Sequence, residues 1–184
     1  TGVSGIGKSY NSGVITIGET SQGIYSSNGA AVENEASGKI TGIKNGATGI
    51  LSSNTDLGNT SVITNNGIID LSGDNSIGIY ATNNGKISLG EGSQGIYTNE
   101  STNADNLGSG HITSTAKNAT GIYAESTNAM SVGNAGVIDL QGDKSIGIYT
   151  KGTEIKTINN AGTVNIGASS KASEPGIGIY SENA

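Results

Sequence analysis

Cysteine, tryptophan and phenylalanine are missing from this chain of 184 residues, and proline and histidine each occur once. Without cysteine there is no disulfide and no thiolate metal site, which fits export routes that avoid disulfides as well as a cytosolic life. The aromatics amount to seven tyrosines, so the side chains that usually supply much of a globular core's burial are few. Nine basic residues stand against 15 acidic ones, a net charge of −6. The basic residues form no run, which argues against binding nucleic acid or an anionic membrane. No apolar stretch approaches the roughly eighteen residues that span a bilayer, and no signal peptide is visible; an exported parent would make this a mature fragment.

Glycine fills 31 positions, alongside abundant Asn, Ser and Thr. The first of these glycines write a false lead. Gly2-Val3-Ser4-Gly5-Ile6-Gly7-Lys8-Ser9 matches the phosphate-binding loop pattern letter for letter. That loop works only between a buried strand and a helix N-terminus. One residue precedes Gly2, and YNSGVITIGETSQGIY after it alternates apolar with polar residues in the manner of strands and turns. The string is read as an accident of a glycine-rich repeat.

The repeat itself is a Gly-Ile-Tyr triplet or close variant, at Gly23, Gly49, Gly78, Gly95, Gly121, Gly147 and Gly178. Successive glycines are separated by 26, 29, 17, 26, 26 and 31 residues, a basic period of 26. Before each triplet a glycine opens a short alternating segment, such as GIIDL from Gly67, GKISL from Gly85 and GVIDL from Gly136. Its second residue after the glycine is Ile15, Ile40, Ile69, Ile87, Ile112, Ile138 or Val164, followed each time by a polar residue. Such alternation marks a strand with one buried face. A third, weaker apolar element precedes most of these glycines and is lost in the 17-residue interval.

Three short strands per period, split by Gly, Asn and Ser turns and without helix signals, predict an all-β parallel β-helix (a β-solenoid). Residues 1–184 form one segment of seven to eight coils, about 35 Å long at the strand spacing of roughly 4.8 Å. The 31-residue interval carries its surplus at 167–176, a loop insertion that includes Pro175. Asn11, Asn65, Asn83, Asn134 and Asn160 each lie two before a segment glycine. Stacked, they would form an amide ladder or take left-handed turn conformations.

The tyrosines of the triplets, Tyr25, Tyr80, Tyr97, Tyr123, Tyr149 and Tyr180, share parity with polar residues such as Glu125 and Lys151, and so are expected to point outward. The residue before the triplet glycine has isoleucine's parity yet is polar at Gln22, Thr48, Gln94 and Thr120. A bend there would reset the parity and could tuck the rings inside. An outward stripe is a candidate contact surface for sugar rings or proteins; the simpler alternative is cross-strand stabilisation of the sheet.

Solenoids also carry polysaccharide-cleaving enzymes, so the acids need inspection. Asp70 and Asp74 in GIIDLSGDNSIGIY repeat as Asp139 and Asp143 in GVIDLQGDKSIGIY. They occupy the same positions of coils three apart, beyond the 5–10 Å or so that two glycosidase carboxyls span. Repeat inheritance explains them, and no catalytic residue is assigned. His111 stands alone in an outward slot, with no metal partner. No cofactor or metal site is read from the sequence. Asn59, Asn99 and Asn118 open glycosylation sequons, which carry little weight in a chain this rich in Asn, Ser and Thr.

The phrase N-x-G-x-I-x-L-x-G-x-x-S-x-GIY, clearest from Asn65 to Tyr80 and from Asn134 to Tyr149, resembles passenger-domain repeats of bacterial type V autotransporter adhesins, the fusobacterial ones above all. The resemblance implies that the β-helix is right-handed and a piece of a longer surface-displayed passenger, held to the outer membrane through a C-terminal barrel. It further implies a monomeric, non-catalytic stalk that mediates attachment to proteins or glycans of host cells or other bacteria. The matched positions are scaffold, so no ligand-binding residue comes with it. A polysaccharide-binding or polysaccharide-cleaving β-helix protein is the alternative.

Overall fold

The computed structural model describes residues 3–5, 8–27, 31–53, 63–80, 82–98, 103–127, 129–153 and 155–182, and among them there is no helix. The chain winds as a parallel β-solenoid, each turn laying one strand in each of three sheets. The tyrosine sheet has eight strands: Val3–Gly5, Gln22–Ser27, Thr48–Ser53, Ile77–Ile79, Gln94–Thr98, Thr120–Glu125, Ile146–Lys151 and Ile177–Glu182. The asparagine sheet has seven: Ser9–Asn11, Val32–Asn34, Ile63–Asn65, Thr82–Asn83, Ala104–Asn106, Met130–Asn134 and Ile155–Asn160. The isoleucine sheet also has seven: Val14–Ile17, Lys39–Gly42, Ile68–Leu71, Lys86–Leu89, His111–Ser114, Val137–Leu140 and Thr163–Ile166.

Every neighbouring pair is parallel, and register follows the repeat. Ile69, Ile87, Ile112 and Ile138 pair in successive rungs, as do Ile96, Ile122 and Ile148 across the tyrosine sheet. All seven side chains are fully buried. The core is therefore a set of aliphatic columns, each layer contributing a few side chains, which is how a chain poor in aromatics still closes an interior. At about 25 cal/mol per Å² of apolar surface removed from water, burial along these columns is the main driving force. No single layer holds enough of it alone.

The turn from the isoleucine sheet to the tyrosine sheet repeats a left-handed backbone step. Thr20, Asn75, Asn118 and Lys144 have φ of 49, 53, 58 and 56°, and Gly46 and Gly92 take the same place at 69 and 64°. A small residue follows and is buried, as at Ala47, Ser76, Ser93, Ala119 and Ser145. The segment 167–176 is this same connection in the last turn, between the strands ending at Ile166 and beginning at Ile177. It lies against the preceding turn: Ser170 donates its backbone N–H (2.7 Å) and its hydroxyl to Asp143, and Lys144 pairs with Glu174 at 3.1 Å.

Candidate functional site

Two ladders run along the axis, one inside and one outside. Inside, the asparagine sheet carries an unbroken amide chain. Asn11 donates to Asn34 at 2.8 Å, Asn34 to Asn65 at 2.8 Å, and Asn65 to Asn83 at 3.0 Å. Asn83 donates to Asn106, Asn106 to Asn134, and Asn134 to Asn160, each at 2.8 Å. The second amide proton goes to a backbone carbonyl, for example from Asn83 to Gly85 at 3.1 Å. Of the two roles expected for these asparagines, the ladder is the one observed. Asn34 and Asn106 complete it, lying four rather than two residues before their glycines at Gly38 and Gly110.

Outside, the tyrosines of the triplet form a column. Tyr97 pairs with Tyr123, Tyr123 with Tyr149, and Tyr149 with Tyr180 in register. Their ring centroids are 5.3, 4.9 and 5.5 Å apart, with interplanar angles of 15, 18 and 21°. The bend considered from the sequence exists, with the opposite consequence for the rings. In Thr120–Glu125 the glycine and isoleucine are both buried, while Thr120 and Tyr123 are half-buried on the outer face. The backbone turns at the glycine, so the residue before it leaves the inward parity and tyrosine stays outside. Only glycine fits there: a Cβ on Gly121 would lie 2.6 Å from the Gly147 carbonyl oxygen and 2.6 Å from Ile138 Cγ2.

The column is uneven. Tyr25 pairs with Leu51 rather than with another ring. Tyr80 packs against the core cluster and meets Tyr97 edge-on, centroids 5.0 Å apart at 75°. Burial, then the neighbouring Tyr97, raises the Tyr80 phenol above its ordinary value. Beside the stack lies a charged column in which Lys151 pairs in register with Glu125 and Glu182. Tyr123 donates its hydroxyl to Glu125 Oε2 at 3.0 Å, and Tyr149 donates to Glu182 Oε2 at 2.7 Å. The Glu182 bond, followed by lost hydration, pushes the Tyr149 phenol up to about 12. Tyr123 is raised too, first by burial and then by Glu125.

The acids do not converge. Asp70 and Asp139 lie in one outward column, separated by Ser88 and Thr113, hence about 14 Å apart at the strand spacing. Asp74 accepts from the Glu91 backbone N–H at 3.2 Å. Asp143 is bonded to Ser170, whose hydroxyl and N–H hold the carboxyl below its ordinary range. These turn acids knit adjacent rungs. His111 sits half-buried between Lys86 and Val137 in register, and no group of three or more His, Cys, Asp or Glu that could hold a metal occurs among the described residues. Asn118 lies exposed at a left-handed turn position; Asn59 and Asn99 fall outside the described residues.

Fold and surface define the class: a parallel β-solenoid with an internal amide ladder and an external tyrosine ladder. No protein-family model, curated protein or solved structure matches the chain.

Proposed function

We propose that the chain is a non-catalytic stalk segment of a bacterial surface adhesin, displayed outside the cell on an outer-membrane barrel and contributing to attachment to host or bacterial surfaces. The observation that carries this reading is the outer tyrosine column on an axially repeating scaffold. Its chemistry narrows the partner. Stacked rings about 5 Å apart turn their faces to one another, leaving edges and hydroxyls to a partner. A sugar ring seeks an aromatic face, whereas a protein surface is well matched by ring edges flanked by Glu125, Lys151 and Glu182. A protein receptor is therefore favoured for this face. The spacing of Asp70 and Asp139 supports a binding role over polysaccharide cleavage, since about 14 Å exceeds the carboxyl separation of either glycosidase geometry.

Replacing Tyr97, Tyr123 and Tyr149 together by Ser is the test. Binding of the purified chain to host cells or partner bacteria falls at least several-fold while the β-rich circular dichroism spectrum is retained. Unchanged binding by the folded triple variant refutes the tyrosine face as the contact surface.

A further inference from the structure

A chain without cysteine has no thiols to join by oxidation, but phenols can be joined as well. Two tyrosyl radicals that meet form a carbon–carbon bond between the ring carbons beside their hydroxyls. This coupling needs two rings held side by side, both open to an oxidant, and an acceptor for each proton. Tyr123 and Tyr149 meet all three conditions. They pair in register on adjacent parallel strands, with ring centroids 4.9 Å apart and planes 18° from parallel. Nearly parallel rings displaced by one strand spacing set equivalent ring atoms about 5 Å apart, and rotation of the two outer side chains closes the remainder. Both rings are half-buried on the outer face of the sheet, so part of each meets solvent. Tyr123 donates its hydroxyl to Glu125 Oε2 at 3.0 Å and Tyr149 to Glu182 Oε2 at 2.7 Å, distances that suit proton transfer.

We infer that the column is an oxidative modification site, where Tyr123 and Tyr149 join as dityrosine and tie neighbouring rungs covalently. A one-electron oxidant, such as the high-valent haem of a peroxidase, takes one electron from each phenol. Each phenol proton passes along its hydrogen bond to the carboxylate. The two radicals then share one new bond between ring carbons. The hydrogens on those carbons leave as protons while the ring oxygens regain protons, so the product lacks two hydrogen atoms. Two equivalents of oxidant are each reduced by one electron. Tyr97 and Tyr180 extend the same stack at 5.3 and 5.5 Å and are the secondary partners. Tyr80 meets Tyr97 edge-on at 75° and packs against the core, which leaves it outside the set. Tyr10 is 51% exposed, but its neighbour in register is Glu33, and that of Tyr25 is Leu51. Exposure alone would select Tyr10; ring geometry selects Tyr123 and Tyr149. The bond forms within the isolated chain, so it stands or falls independently of what the column binds.

Brief illumination of the dilute 184-residue chain with tris(bipyridine)ruthenium and persulfate, a photogenerated one-electron oxidant, tests this at neutral pH. The monomer is expected to gain dityrosine fluorescence and to lose the mass of two hydrogens. Mass spectrometry of its peptides should find Tyr123 joined to Tyr149 as the main link, with Tyr97–Tyr123 and Tyr149–Tyr180 next. Tyr123→Phe combined with Tyr149→Phe keeps the ring stack and the circular dichroism spectrum, and lowers the monomer's dityrosine several-fold. Glu125→Gln combined with Glu182→Gln slows linking at neutral pH, and the difference closes above pH 10, where phenols at the ordinary value of 10.0 have ionised beforehand. A monomer without dityrosine, links dominated by Tyr10, an undiminished yield in the folded phenylalanine pair, or a neutral-pH rate indifferent to both carboxylates overturns the proposal.

Discussion

The two ladders run parallel along the same rod, yet one is continuous and the other is not. The asparagine ladder has a side-chain amide in each of the seven strands of its sheet, even where the sequence spacing shifts by two residues. The tyrosine column admits Leu51 and turns Tyr80 edge-on. Buried amides explain the difference. Each amide inside the solenoid satisfies its neighbours, so one omission orphans a donor on one side and an acceptor on the other. Outside, water meets the needs of whatever residue stands in the column, and ring stacking adds about 0.5–1.5 kcal/mol per contact. The interior therefore enforces its pattern, and the surface tolerates departures.

Breaking the inner ladder has the largest expected effect. Asn83→Leu leaves the Asn65 amide without its acceptor and the Asn106 oxygen without its donor. The expected loss is about 2–4 kcal/mol from two unsatisfied buried groups, read by urea denaturation. Gly121→Ala follows, at about 1–3 kcal/mol. The added methyl meets the Gly147 carbonyl and Ile138, both held by the core. Tyr123→Ser removes two ring contacts from the outer ladder and costs about 1–2 kcal/mol. If Tyr123→Ser cost more than Asn83→Leu, the ranking of inside over outside would be wrong.

The smallest effect is electrostatic. Between pH 10 and about 12 the unfolded chain ionises a phenol at its ordinary value of 10.0 while folded Tyr149 keeps its proton. The unfolded state then binds fewer protons, so the Tyr149 contribution is present below pH 10 and is lost as pH rises to about 12. Glu182→Gln removes the carboxylate and returns Tyr149 toward its ordinary value in a spectrophotometric tyrosinate titration. An unchanged titration would show that Glu182 does not hold the phenol.

The period, the three strands per turn and the isoleucine columns were legible because strict alternation maps directly onto buried and exposed faces. Asn34 and Asn106 escaped notice because Glu35 to Ser37 and Leu107 to Ser109 insert two residues before the glycine, which conceals a ladder place fixed in three dimensions. The outward face of the tyrosines was legible in their parity with Glu125 and Lys151, which holds after the triplet glycine; only the residue before it, such as Thr120, leaves that parity, because the backbone bends there. The left-handed turn step was hidden too, since Thr20 and Lys144 are residues that rarely adopt it.

The most direct test of the account is methyl–methyl nuclear Overhauser contact among Ile69, Ile87 and Ile112 in a selectively labelled sample. Stacked parallel rungs predict strong contacts from Ile87 to both Ile69 and Ile112, and none linking Ile69 directly to Ile112. Missing Ile87 contacts, or cross-peaks that pair these strands antiparallel, would contradict the solenoid.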